Sequence, residues 1–222
     1  MISIRNLDFR FPRGGFRLVV PRFDVPAGGR VAILGASGSG KTTLLDLLAG
    51  IRVPDAGSVT VAGQEISRLP DAARRHFRIH RIGLIFQAFE LLEYLTVQEN
   101  LLLPYRISPS LRPDADTGAR LSRLAEETGI GGRLRRYPDQ LSHGERQRAA
   151  ICRALIAAPD LILADEPTGN LDPENKRRVL DLLLGQVASH GATLVMVTHD
   201  HDLLEPFDRV VQMRDFHGAE AA

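Results

Sequence analysis

The segment VAILGASGSGKT, Val31 to Thr42, constrains the fold of this chain more than any other stretch. Val31 to Leu34 is apolar throughout, the pattern of a strand covered on both faces. From about Lys41 a helical apolar pattern runs to Ala49 and stops at Gly50. A strand that passes through glycines into a helix gathers main-chain N–H groups around one point and makes an anion nest there. Bulky side chains would hold a phosphate off, and glycine removes them. Gly35, Ala36, Ser37, Gly38, Ser39, Gly40, Lys41, Thr42 and Thr43 are therefore candidate phosphate contacts. Lys41 adds a mobile positive charge for the outer phosphates, and the Thr42 hydroxyl is placed to bind Mg²⁺.

Two more runs share the buried-strand pattern, Leu161 to Ala164 and Thr193 to Val197. A helix begins after Asp172 with Pro173 in its first turn, presents Val179, Leu182, Leu183 and Val187 on one face, and ends near Gly191. Strand and helix in repeated alternation predict an α/β, doubly wound core. The first sixty or so residues carry the β-like pieces FRLVV, DVPAGGR and GSVTVAG, which predict an attached antiparallel sheet. From about Ala88 to Ala158 the pattern is helical, broken by a loop from Ile107 to Thr117. The predicted organisation is one domain, with a core from residues 1–87 and 159–222 and an inserted helical lobe at 88–158.

Composition narrows the function. Of 222 residues 25% are charged, yet the formal net charge is +1, which argues against a nucleic-acid binder held by bulk electrostatics. The cluster RRHFRIHR, Arg74 to Arg81, is read as solvated surface. The single cysteine, Cys152 in ICRAL, excludes an internal disulfide and reads as a small core residue in a reducing compartment. MISIRNLDFR lacks the apolar run of a signal peptide, and no stretch is long enough to cross a bilayer, so any membrane crossing falls to another chain. His76, His80, His190, His201 and His217 show no spacing with cysteines or carboxylates that suggests a transition-metal site.

LILADE, Leu161 to Glu166, ends a dry strand in two adjacent carboxylates, costly unless a cation or a reactive water meets them. Asp165 suits a place just behind the metal, among the groups that hold its ligands. Glu166 suits activation of water against a terminal phosphate. LSHGE, Leu141 to Glu145, places a serine three residues before a glutamate, the signature of a capping box at a helix start.

GASGSGKT, Phe86–Gln87, LSHGE, LILADEP, Asn170 to Asp172 and Thr198 to Asp200 occur in an order that resembles the ATP-binding-cassette ATPases over nearly the whole chain. LTVQENLLLP and ADEPTGNLD resemble the subgroup serving lipoprotein release, macrolide export and cell division. The resemblance implies a P-loop NTPase core with mainly parallel sheet, Mg²⁺ and ATP as cofactors, and a head-to-tail homodimer with ATP between the copies. Ser142 and Gly144 would then face the ATP held by a second copy. His143 and Glu145 depart from the family pattern at this turn, and His143 is expected to point away from the phosphate and leave hydrolysis intact. The resemblance further implies that Gln87 senses Mg²⁺ and relays the nucleotide state, that His199 contacts the γ-phosphate, and that Asp172 communicates across the dimer. For adenine stacking Phe11 is the counterpart, with Phe9 and Phe16 as competitors and a core role equally open. The expected function is an Mg-ATPase subunit on the cytoplasmic face of the membrane, energising a permease encoded as a separate chain, with no nucleic acid bound. Two other readings stand beside it: a nucleotide-switched regulatory module that signals through a membrane protein without transport, and a soluble cassette of DNA repair or translation.

Overall fold

A computed structural model describes residues 1–12, 15–169 and 171–217, the last by its main chain alone. Asn170 of the predicted motif and the side chain of His217 therefore lie outside the described residues.

Two sheets organise the molecule. The first is antiparallel, with strand order β2-β1-β4-β5, from β1 (Ile2–Arg10), β2 (Arg17–Val25), β4 (Ala56–Val61) and β5 (Gln64–Glu65). The second is parallel, with order β6-β7-β8-β3-β9, from β3 (Arg30–Leu34), β6 (Ile82–Ile85), β7 (Leu161–Asp165), β8 (Thr193–Thr198) and β9 (Arg209–Gln212). The three apolar runs are β3, β7 and β8, side by side at the centre of that sheet. DVPAGGR is not a strand of its own. It holds the end of β2, a turn with Gly28 at φ +73°, and the first residue of β3.

Besides the two-residue β5, three strands fall outside the predicted pieces, for separate reasons. β1 alternates inward Ile2 and Ile4 and then inward Leu7 and Phe9, so the period slips by one. The slip is a register shift between Arg5 and Asp8, with Asn6 at φ +48°. β6 is four residues long, and a Cβ on its Gly83 would come within 2.3 Å of the Ala154 carbonyl oxygen, so only glycine lets the following helix layer close over it. β9 is an edge strand with two exposed residues and a weak apolar signal.

Helices α1 (Lys41–Leu48) and α7 (Pro173–Ser189) match the predicted pattern, ending before Gly50 at φ +63° and Gly191 at φ +62°. On α7 Leu182 is half-buried, while Leu180, Leu183 and Leu184 carry the packing. α2 (Asp71–Arg81) corrects the reading of the basic cluster. Arg74 donates to the Leu69 and Gly50 carbonyls at 2.6 and 3.2 Å, and Arg78 to that of Ala49 at 3.2 Å. Two of its arginines thus satisfy the carboxyl end of α1, where cations are favoured, while Arg75 and Arg81 remain solvated.

Between β6 and β7 come α3 (Val97–Leu101), α4 (Leu103–Ile107), α5 (Thr117–Glu127) and α6 (His143–Leu155). Thr96 and Glu99 cap α3 reciprocally, and Asn100, wholly buried, ties the preceding loop through Leu92 and Leu95. The apolar half of α6 lies in one cluster with Ile162, Ala164 and Met196 of the sheet. Cys152 sits there fully buried, its thiol pushed up to about 12 by burial, as a small packing residue. Among the described residues no helix is long and apolar enough to cross a membrane.

Candidate functional site

Parallel strands deliver their outgoing loops to one edge of the sheet, and ligands meet such sheets at the strands' carboxyl ends. Four of the predicted segments leave from there. The glycine-rich loop follows β3, Phe86–Gln87 follows β6, Asp165–Glu166 closes β7, and His199 follows β8. They meet in a cleft of about 850 Å³, lined by Ala36, Ser37, Gly38, Gly40, Lys41, Thr42 and Thr43 of the loop, by Gln87, Asp165, Glu166 and His199, and by Phe11 and Phe16.

Two of the loop glycines have no substitute. Gly38 stands at φ +77° and Gly40 at φ +94°, and a Cβ on Gly40 would strike Cζ of Phe16 at 2.4 Å. Gly40 also gives α1 no side-chain cap, which leaves the first-turn amides of that helix for an outside acceptor. Gly35 and Ser39 face a neighbouring hollow beside Met213, with a Cβ on Gly35 only 2.6 Å from Ser39 Oγ. Those two shape the loop from below.

Lys41 is 6% exposed, yet its ammonium is fully engaged. It donates to the carbonyls of Gly35 and Ala36 at 2.8 and 3.0 Å, and Nζ lies 3.2 Å from Glu166 Oε1. The other Glu166 oxygen is 3.0 Å from His199 Nδ1. Glu166 sits at φ +43°, a left-handed conformation that side chains of its size avoid, at the point where the strand ends. Thr42 Oγ1 donates to Asp165 Oδ2 at 2.7 Å. Burial pushes the Asp165 carboxyl above its ordinary range against the opposing effect of Thr42, and Glu166 beside it adds to the rise.

The arrangement fits a magnesium–triphosphate ligand. Glycine clearances and uncapped amides accept the phosphates, and two adjoining carboxylates, with a lysine paired to one and a threonine hydroxyl bonded to the other, fit a further cation. Among the described residues no group of three or more His, Cys, Asp or Glu is placed to hold a metal by itself. That suits Mg²⁺, which keeps waters and phosphate oxygens and needs only one or two protein ligands.

Phe9, a competitor for adenine, is 6% exposed within the core and does not line the cleft. Phe11 and Phe16 both line it, their rings 5.9 Å apart. The Arg52 guanidinium lies 4.6 Å from the Phe11 centroid and supports that ring. Sequence alone favours Phe11 over Phe16, because the contact of Phe16 with Gly40 is a tertiary approach that no local pattern announces.

Ser142, Gly144 and Asp172 do not line this cleft. Ser142 is exposed and caps α6, its Oγ accepting from Glu145 N at 3.3 Å while Glu145 Oε2 accepts from Ser142 N at 2.8 Å. The Ser142 hydroxyl also hydrogen-bonds the Glu145 carboxylate, so in the single chain its proton is held within the capping box. A Cβ on Gly144 would meet only Arg148 Nη1, at 3.4 Å, so nothing within the chain demands glycine there. The His143 ring packs edge-on against Phe89, 4.8 Å between centroids, with Nδ1 buried, turned into its own chain. Phe89 and Glu90 are both left-handed, at φ +63° and +51°, and Arg153 donates to both of their carbonyls. Asp172 caps α7 through Asn175. Lys176, in the first turn of that helix and not singled out by the sequence, pairs with Asp200 beside the site at 2.6 Å. Its partner lies 24 residues away, and no motif spacing signals it.

The ABC transporter family profile matches residues 20–169, which leaves Phe11 and His199 outside the matched span. An uncharacterised ABC transporter ATP-binding protein of Mycobacterium tuberculosis is 43% identical over 96% of this chain and 87% of its own length. The lipoprotein-releasing system ATP-binding protein LolD of Pseudomonas fluorescens is 40% identical over 98% and 96%. The macrolide export ATP-binding/permease protein MacB of Rhodopirellula baltica is 44% identical over 86% of this chain but only 28% of its own. Among solved structures, a dimeric ATP-binding cassette in a post-hydrolysis state with ADP and Pi superposes with TM-score 0.84 at 29% identity, over 96% of this chain and 94% of that one. With a profile over most of the chain and relatives this similar along its length, the chain belongs to the ABC transporter family.

Proposed function

We infer that the chain is the ATP-binding and hydrolysing subunit of a membrane transport complex, working at the cytoplasmic face of the membrane as a head-to-tail homodimer against a separately encoded permease. The observation that carries this reading is the cleft in which the glycine-rich loop, Asp165, Glu166 and His199 converge. The names of the relatives and the dimeric cassette among the neighbours support the rest.

The α1 amides and Lys41 take the phosphates, with Phe11 against the adenine. Thr42, Gln87 and Asp165 are the residues that would hold Mg²⁺, which when bound neutralises charge developing on the phosphates. Lys41 and Glu166 stand as an ion pair at 3.2 Å. Drawing Lys41 onto phosphate releases Glu166 Oε1 to accept the proton of an attacking water, while His199 stays beside Oε2 to orient it. Ser142 and Gly144 of a second copy close the site with an exposed hydroxyl and the amides of a helix start.

The membrane partner has a suitable seat. An apolar groove of about 680 Å³ runs between α2, α4 and α6, with Phe86 and Glu90 on either side of Gln87 in its wall. Gln87 itself lines the nucleotide cleft, so its movement with the nucleotide would reach that groove through its chain neighbour Phe86, which gives residues 88–158 their part in passing motion on. The assay is steady-state hydrolysis beside nucleotide binding in Glu166→Gln. Binding is expected within about threefold of wild type, and kcat to fall by about two orders of magnitude or more, the scale of losing a general base. An unchanged kcat would remove Glu166 from this role.

A further inference from the structure

A second, smaller cavity of about 100 Å³ adjoins the site, and no residue of the phosphate-binding loop lines it. Its wall contains Gln87, Glu166 and His199 together with Lys176 and Asp200. Lys176 Nζ donates to Asp200 Oδ2 at 2.6 Å, with the two side chains only 25% and 17% exposed. The neighbouring pair Arg178–Glu174, at 71% and 74% exposure, is of the solvated kind that contributes little. An ion pair withdrawn into a cavity beside the hydrolytic carboxylate is a different object.

Both partners are fixed at their other ends. Lys176 belongs to the first turn of α7, its amide donating to the Asp172 carbonyl at 2.9 Å while the Asp172 side chain caps the helix. Asp200 accepts from Asp202 N through Oδ1 and donates its own amide to Thr198 Oγ1, each at 3.0 Å. His199 lies between those two anchors in the chain, and its Nδ1 is 3.0 Å from Glu166. A continuous physical path therefore runs from Asp172 through Lys176 and Asp200 to His199 and Glu166. The Lys176–Asp200 pair is a charged contact that ties the start of α7 to the His199 loop.

We propose that Lys176 is a positioning residue for hydrolysis, holding the His199 loop to the first turn of α7 through Asp200 so that the imidazole stays in register with Glu166. The inference rests on the proposed roles of Glu166 and His199, and it gives the α7 start, where Asp172 would meet a second copy, a route to the hydrolytic centre. Lys176 does not line the cleft assigned to the nucleotide, so its effect falls on turnover and not on binding.

The test uses the full chain carrying Lys176→Ala, Lys176→Arg, Asp200→Asn, or Lys176→Ala with Asp200→Asn, and two readouts. In steady-state hydrolysis, Lys176→Ala is expected to lower kcat about tenfold with KM for ATP changed less than about twofold, and Lys176→Arg to recover most of the loss. The double variant is expected to be no slower than the slower single one, because both break one contact. In the nucleotide-free protein, the NMR signal of the His199 ring, assigned with His199→Ala, is expected to shift in Lys176→Ala and stay in place in Lys176→Arg. A wild-type kcat in Lys176→Ala, an unmoved His199 signal, or losses that multiply in the double variant would each overturn the proposal. Glu166→Gln run in parallel separates the two claims: if it hydrolyses at the wild-type rate the reading of the site has failed, and if it is inactive while Lys176→Ala is not, only the role of Lys176 has.

Discussion

At the scale of single residues, the site is held together by contacts that a bound nucleotide and cation would have to separate. Lys41 keeps Glu166 occupied, and Thr42 keeps Asp165 occupied. Asp165 carries a raised proton affinity because it is buried, helped by Glu166 and opposed by Thr42. A carboxyl whose folded pKa lies above its ordinary 3.8 favours the folded state below that value, and loses this contribution as pH rises through the folded pKa. A divalent cation at Asp165 competes with that proton. The Mg²⁺ concentration needed for nucleotide binding should therefore rise as the pH is lowered into the acid range, and Asp165→Asn should flatten the dependence; titrations of Mg²⁺ at several pH values check both. For the base of the nucleotide, Phe11→Ala should weaken ATP binding by about 1–3 kcal/mol, the scale of one lost stacking contact. An effect confined to Phe16→Ala in the same binding assay would move the stacking role to Phe16, whose ring lies against Gly40.

Among the elements, α6 joins the part of the chain most legible in the sequence to the part least so. Ser142 and Glu145 make the capping box that their spacing predicts, and Arg133 joins it at 2.6 Å from Glu145. The Ser142 amide and Arg133 hold the Glu145 carboxyl down at about 2. Because the folded value is depressed, this stabilisation is present above the ordinary 4.5 and is lost as pH falls toward 2. Glu145→Ala should cost about 1 kcal/mol at neutral pH, as caps do, with the gap to wild type closing in urea unfolding at acid pH. His143→Gly removes a ring that packs on Phe89 and should leave kcat within about threefold, a barrier change under about 1 kcal/mol. The capping box, the glycine-rich turn and the buried strands β3, β7 and β8 were legible because each is a local pattern. The bulge in β1, the short β6 under Gly83, and the arginines of α2 that close the end of α1 were not, because each answers to an atom far away in sequence. The same holds within the site. Lys41, Thr42, Asp165 and Glu166 announce themselves by spacing, whereas Phe16 and Lys176 matter only through the tertiary contacts they make.

On the scale of the molecule, the cleft holds one half of what the proposed chemistry needs. Lys41 and the loop amides face it; Ser142 stands exposed elsewhere on the same chain, with Gly144 beside it. A second copy turned head to tail would bring the halves together twice, once at each nucleotide. Measuring the mass of the Glu166→Gln chain in solution with and without Mg-ATP, beside the same chain carrying Ser142→Arg, tests this most directly. Mg-ATP is expected to double the mass from 24.4 kDa in the first protein, while the second binds nucleotide but stays at the single-chain mass. A Glu166→Gln chain that binds ATP and never pairs, or a Ser142→Arg chain that pairs equally well, would contradict it.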